Sequence, residues 1–162
     1  MGMYNQLLTP HPKLLTPNWF TMFIIKNEIQ FDTAHYLCGY DGKCANIHGH
    51  RYRLITKIAC PDLQTEGHAR GMVQDFSHIK PILREVEAYF DHKLLLEDNE
   101  EGRKVAETLQ SLPNQFEIVF FPHRPTAEEM SRYIYRMLRQ KGLPVTEVEL
   151  FETPTNSCVY YE

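Results

Sequence analysis

The chain of 162 residues predicts an α+β domain built on a largely antiparallel sheet, on three observations. Two long runs with period-two alternation, residues 22–36 and 50–60, read as neighbouring strands. Two stretches with start signals carry apolar residues at helical spacing. Two short alternating runs close the chain around the turn TPTN. The resulting order, β-β-α-(α)-β-α-β-β, segregates strands from helices as α+β domains do.

Residues 1–19 are punctuated by Pro10, Pro12 and Pro17 and read as an extended arm; residues 20–162 form the single domain. In the first strand Phe23, Ile25, Ile29 and Phe31 share one face. The loop LCGYDGKCAN follows, rich in Gly and Asp. In the second strand His50, Tyr52, Leu54, Thr56, Ile58 and Cys60 lie on one face. PDLQTEGHARG is a turn region, and MVQDF a short extended piece. Ser77 is the expected cap of a helix whose stripe is Ile79, Ile82, Leu83, Val86, Tyr89 and Phe90. Asp91-His92 and an acidic break precede a short helix near 103–111, and FEIVFF is a strand. Thr126 with Glu129 fits a capping box for the next helix, with Met130, Ile134, Met137 and Leu138 buried and Gly142 as the stop. VTEVELFE and SCVYY complete the sheet.

Hydrophobic residues are 43% and charged residues 23%, an ordinary globular balance, and the net charge of −4 gives no basic excess for a nucleic-acid partner. No stretch approaches the roughly 20 apolar residues of a membrane span, and the N-terminus lacks a secretory layout, so a cytoplasmic protein is expected. Cys38, Cys44, Cys60 and Cys158 form no CxxC pair and no disulfide scaffold.

The sharpest local signal is CANIHGH. Residues i and i+2 of a strand face the same way, so His48 and His50 can present two imidazoles to one ion, and His35 on the neighbouring strand can supply a third. Three nitrogens plus an open position is the donor set of a catalytic zinc. Cys44 as a fourth ligand would instead make a closed structural site, and an isolated HxH pair is also compatible with ordinary strand histidines. Asp91-His92 reads either as an acid–base unit or as a helix C-terminal histidine. Glu152 is a strand-end carboxylate, and Thr126 is accounted for as a cap.

In this order, FDTAHYL, CANIHGHRY, MVQDF, FDHKLLLED, RPTAEEMSRYIY and FETPTNSCVYY resemble the 6-pyruvoyltetrahydropterin synthase / 6-carboxytetrahydropterin synthase family, from about residue 23 to residue 161. The stretch near 98–115 departs from the compact pattern and is expected not to touch the site. The resemblance implies the tunnelling fold: a four-stranded antiparallel sheet with helices on one face, three sheets joining into a trimeric barrel and two trimers into a homo-hexamer. It implies Zn2+ on His35, His48 and His50, with Cys44 as catalytic base and Asp91 and His92 as an assisting proton relay. Glu152 is then the anchor of the pterin ring, deep in the pocket and some distance from the metal, with Thr126 and Glu128 beside it.

The substrate implied is 7,8-dihydroneopterin triphosphate, and Lys43, Arg51 and Arg53 are candidates to meet its phosphates. The product implied by the ending and the CxxxHGH loop is 6-carboxy-5,6,7,8-tetrahydropterin, on the route to queuosine, with loss of triphosphate and acetaldehyde. The alternatives are elimination to the pyruvoyl compound of tetrahydrobiopterin synthesis and a non-catalytic zinc-stabilised binding module.

Overall fold

A computed structural model describes residues 22–162; the arm expected over 1–19 lies outside the described residues. The elements are β1 (Phe23–His35), a 3-10 turn (Lys43–Ala45), β2 (His48–Cys60), α1 (Phe76–Phe90), β3 (Lys93–Glu97), α2 (Glu100–Gln110), β4 (Ile118–Phe121), α3 (Ala127–Gln140), β5 (Glu147–Thr153) and β6 (Asn156–Tyr160). They form one sheet of six strands in the order β4-β3-β1-β2-β5-β6.

The sheet corrects the four-strand expectation. Its β1-β2-β5-β6 portion is antiparallel, but β3 pairs with β1, and β4 with β3, in parallel. KLLLE has no alternation because both of its faces are buried: Leu95 joins the main core, while Leu94 and Leu96 face the other side. A continuous apolar run is the mark of a strand covered on both sides, and a period-two search passes over it. MVQDF, expected as a short extended piece, bends at Val73 and Gln74 and enters α1 at Phe76.

The helices also depart from the one-faced arrangement. Residues of α1 and α3 pack with Phe31, Tyr52, Leu54, Leu95 and Leu150 in the main core. Ala106, Val105 and Leu109 of α2 pack with Tyr36, Leu94 and Leu96 on the opposite side. Helix α1 starts one residue before Ser77, at Phe76; its cap is Asp75, whose carboxylate accepts from the Ser77 N–H at 2.7 Å. Thr126 caps α3 by accepting from the Glu129 N–H, and Gly142 ends that helix at φ +82. The reciprocal half of the expected capping box is not formed, because the Thr126 N–H donates to the Arg124 carbonyl and the Glu129 carboxylate pairs with Arg132.

The two longest strands position the site. Their antiparallel register sets His35 opposite His48 and Thr33 opposite His50. Gly49 sits between the two β2 histidines, where a Cβ would come within 3.2 Å of the Thr33 carbonyl.

Candidate metal centre and adjoining cavities

Period-two geometry puts His48 and His50 on the face that continues as Tyr52 and Leu54, and the register brings His35 in from β1. The potential ligand atoms of the three histidines lie within 4.8 Å of one another. Among the described residues, this is the one group of three or more His, Cys, Asp or Glu side chains gathered so closely.

Their outer partners decide which nitrogens are free. His35 Nδ1 is 2.7 Å from the Pro125 carbonyl and His48 Nδ1 is 2.7 Å from the Asn46 carbonyl. A carbonyl only accepts, so both Nδ1 atoms carry the proton and both Nε2 atoms present a lone pair. His50 Nε2 is buried and has no hydrogen-bond partner among the described residues. Burial holds the pKa of His35 and of His50 below the ordinary imidazole value, which favours the neutral, ligating form. A nitrogen donor set, backbone carbonyls that orient two of the rings and an orphaned buried nitrogen fit a zinc ion.

A cavity of about 260 Å³ opens beside the cluster, lined by residues that include His35, Cys44, Thr126, Glu128 and Glu152. Five of the sequence-predicted residues therefore meet at one hollow. Cys44 reaches it from the 3-10 turn, Thr126 and Glu128 from the head of α3, and Glu152 from β5. Glu152 lies closer to the histidines than expected, its Oε1 3.8 Å from His35 Nε2 and 3.9 Å from His50 Nε2. The register Arg53↔Phe151 brings the next residue of β5 alongside Tyr52, whose hydroxyl donates to Glu152 Oε1 at 3.3 Å.

Asp91 and His92 are not brought to this hollow. His92 lines a second cavity of about 490 Å³ with His50, Arg51, Asp32 and Lys93, and its side chain is 78% exposed. The pair itself is well ordered by its neighbours. Asp91 Oδ1 accepts from the Asp32 N–H at 2.8 Å, and Oδ2 faces His92 Nδ1 at 2.7 Å. The His92 N–H donates to the Asp32 carbonyl at 2.6 Å, and this contact accompanies a left-handed φ of 56. The Asp32 amide lowers the Asp91 pKa, and the Asp91 carboxylate raises that of His92.

Tyr52 and the Pro125 carbonyl escaped the sequence reading. Tyr52 was legible in principle, two residues past His50 on the same face; its phenol is pushed far up, chiefly by burial, and stays a hydroxyl. The Pro125 carbonyl carries no side-chain signal at all. Of the phosphate candidates, Arg51 is held by Asp32 at 2.7 Å, and Arg53 pairs with Glu28 at 3.4 Å and lies over the Phe151 ring.

Among the described residues, no helix is long and apolar enough to cross a membrane. Comparison with known proteins gives a concordant family. The family model described as 6-pyruvoyl tetrahydropterin synthase matches residues 24–162. A 6-carboxy-5,6,7,8-tetrahydropterin synthase from Haemophilus influenzae is 41% identical, over 87% of this chain and 100% of that protein. The Synechocystis protein of the same name is 32% identical, over 86% of this chain and 94% of its own length. In fold, the chain is similar to the 6-pyruvoyl tetrahydropterin synthase of Plasmodium vivax, with a TM-score of 0.63 at 20% identity, covering 88% of this chain and 98% of that one. The Caenorhabditis elegans enzyme gives 0.64 at 21% identity, over 88% and 97%. With the family's model matched along almost all of the described residues, the chain belongs to the 6-pyruvoyl tetrahydropterin synthase family.

Proposed function

We propose that this protein is a zinc-dependent lyase that converts 7,8-dihydroneopterin triphosphate and water to 6-carboxy-5,6,7,8-tetrahydropterin, triphosphate and acetaldehyde. The observation that carries the reading is the hollow shared by His35, Cys44, Thr126, Glu128 and Glu152, together with two relatives named for that product. A closed structural zinc site would not need an adjoining cavity, nor an unrecruited cysteine on its wall.

His35, His48 and His50 would hold the ion, which when bound supplies Lewis-acid polarisation of the substrate's side-chain oxygens. Cys44, on the wall next to His35, is placed to take a carbon-bound proton. Glu152 offers two acceptor oxygens to the amino and ring N–H groups of the pterin, the match a carboxylate makes with a planar pair of donors. Thr126 and Glu128 border the same hollow. Asp91 and His92 serve as the relay for an oxygen-bound proton. His92 is exposed and faces the other cavity, so this relay reaches Cys44's hollow from a neighbouring subunit. A trimer-based homo-oligomer, a hexamer of two trimers, supplies that neighbour.

Incubation with dihydroneopterin triphosphate and identification of the product by mass tests the reading. The mass of 6-carboxytetrahydropterin with acetaldehyde supports it, whereas the pyruvoyl product assigns the chain to the other branch. Unreacted substrate with a zinc-loaded protein would leave the binding-module reading.

A further inference from the structure

We propose that Arg124 is a positioning residue for Cys44, acting through a clamp on Cys38; the inference rests on the reading of Cys44 as the catalytic base. The loop between β1 and β2 leaves the sheet at His35, returns at His48, and carries Cys44 in a 3-10 turn with no buried member. Its internal ties join loop residues to one another: the Tyr40 N–H donates to the Leu37 carbonyl, and the Asn46 backbone and side-chain amides donate to the Lys43 carbonyl. The Leu37 N–H donates to the Cys44 carbonyl at 2.8 Å, and the Ala45 N–H donates to the Gly42 carbonyl at 3.1 Å.

Among the described residues, the hydrogen bonds that fasten Leu37–Ala45 to elements outside the β1–β2 loop both end on Cys38. Its carbonyl accepts from Arg124 Nη2 at 2.6 Å, and its thiol donates to Glu101 Oε2 of α2 at 2.8 Å. The segment near 98–115 was expected to stand apart from the site, and this contact ties it to the loop that carries Cys44. Of the two ties, the guanidinium is the stronger, because a charged donor makes a tighter bond than a thiol.

The clamp is short in covalent terms. Leu37, bonded to Cys44, is the residue next to Cys38. On the other side, Arg124 opens a three-residue segment that serves the site throughout. Pro125 offers the carbonyl that orients His35, and Thr126 caps α3 and lines the cavity. The Thr126 N–H donates to the Arg124 carbonyl at 2.7 Å, and the proline that follows restricts the arginine's backbone toward extended conformations. Gly39, the residue after Cys38, takes a left-handed φ of +66, a turn that a side chain there would strain. One short segment thus touches both the metal ligand His35, through Pro125, and the loop that carries Cys44, through Arg124.

The test compares the zinc-loaded full chain with Arg124→Gln and Arg124→Lys. Zinc content and melting temperature are measured first. The rate of Cys44 alkylation by iodoacetamide is then read by peptide mass mapping, and kcat and KM are read separately. Arg124 is exposed, so both variants are expected to fold and keep zinc. For Arg124→Gln the expected result is a kcat lower by about ten- to a hundredfold, the usual cost of misplacing a reacting group. KM should stay within about twofold, because no ring contact is lost, and Cys44 alkylation should change several-fold. Arg124→Lys, which keeps a charged donor, is expected to recover part of both.

Unchanged kcat with unchanged Cys44 alkylation would overturn the clamp, as would a loss that tracks zinc content alone. If the wild-type chain fails to turn over the pterin, the functional reading falls while the alkylation comparison still decides whether Arg124 positions the Cys44 loop.

Discussion

His48 is half-buried and outside the main core, so His48→Ala removes one of three nitrogens without opening a cavity in the fold. Metal analysis of that variant is expected to show near-complete loss of zinc, and full occupancy would refute the ligand set. Cys44→Ala is expected to keep zinc and lose turnover; loss of zinc instead would make Cys44 a structural ligand. Glu152→Gln keeps the size but puts an N–H₂ where an acceptor is needed. Pterin affinity should fall at least about tenfold, or 1.4 kcal/mol, by titration calorimetry, with zinc retained. Wild-type affinity in that variant would free Glu152 from the ring.

His35 and His50 on one side, and His92 on the other, have opposite pH behaviour. His35 and His50 have lowered pKa values in the fold, chiefly from burial. In the metal-free protein the unfolded chain then takes up their protons first, so stability falls as pH drops below the ordinary imidazole value of 6.5. His92, raised by Asp91, behaves the other way. Its contribution is full below 6.5 and is lost as pH rises through its raised value. Asp91, lowered by the Asp32 amide, contributes fully above 3.8 and loses that as pH falls through its lowered value. Thermal melts of the apo-protein with pH should show the acid-side loss flatten in a His35→Asn variant that still folds; an identical profile would contradict the assignment.

At the scale of elements, legibility followed pattern. Strand alternation identified β1 and β2 to within two residues and put His48 and His50 on one face, and those two strands carry all three metal candidates. The cap at Thr126 and the stop at Gly142 were equally local signals. What stayed hidden was non-local. KLLLE is a strand only because α2 covers Leu94 and Leu96 while the main core covers Leu95. Asp32's role at Asp91 arises from backbone groups that have no signature in the sequence. Glu152's place beside the histidines depends on the β2–β5 register, which composition does not reveal. The double burial of β3 has a measurable side: Leu95→Ala should cost about 2–5 kcal/mol in denaturant unfolding, as large-to-small changes in fully buried sites do. A cost under about 1 kcal/mol would mean that β3 is peripheral to the core.

For the whole molecule, the open sheet leaves β4 and β6 as edges. Unpaired edge strands are sites for association, and closing sheets together removes them. The exposed His92 also lies away from Cys44's hollow, so the proposed relay requires a second subunit. Light scattering at micromolar concentration should therefore give a trimer or a multiple of it; a monomer would remove both the barrel and the shared site.

The pairing of His35 with His48 bears on how the chain finds its fold at all. A slip of β1 against β2 by one residue turns every apolar side chain the wrong way and is rejected by burial. A slip by two keeps the same faces inward, so burial rejects it far less strongly, yet it carries His35 about 6–7 Å along the strand from its partner. An ion shared by the three imidazoles would hold together only in the native alignment. It would thus act as a proofreader of registry, penalising the misalignments that oil-like burial tolerates. Refolding with a chelator present should then yield a larger share of misaligned, aggregation-prone chains than refolding with zinc. Equal yields would show that the hairpin aligns itself.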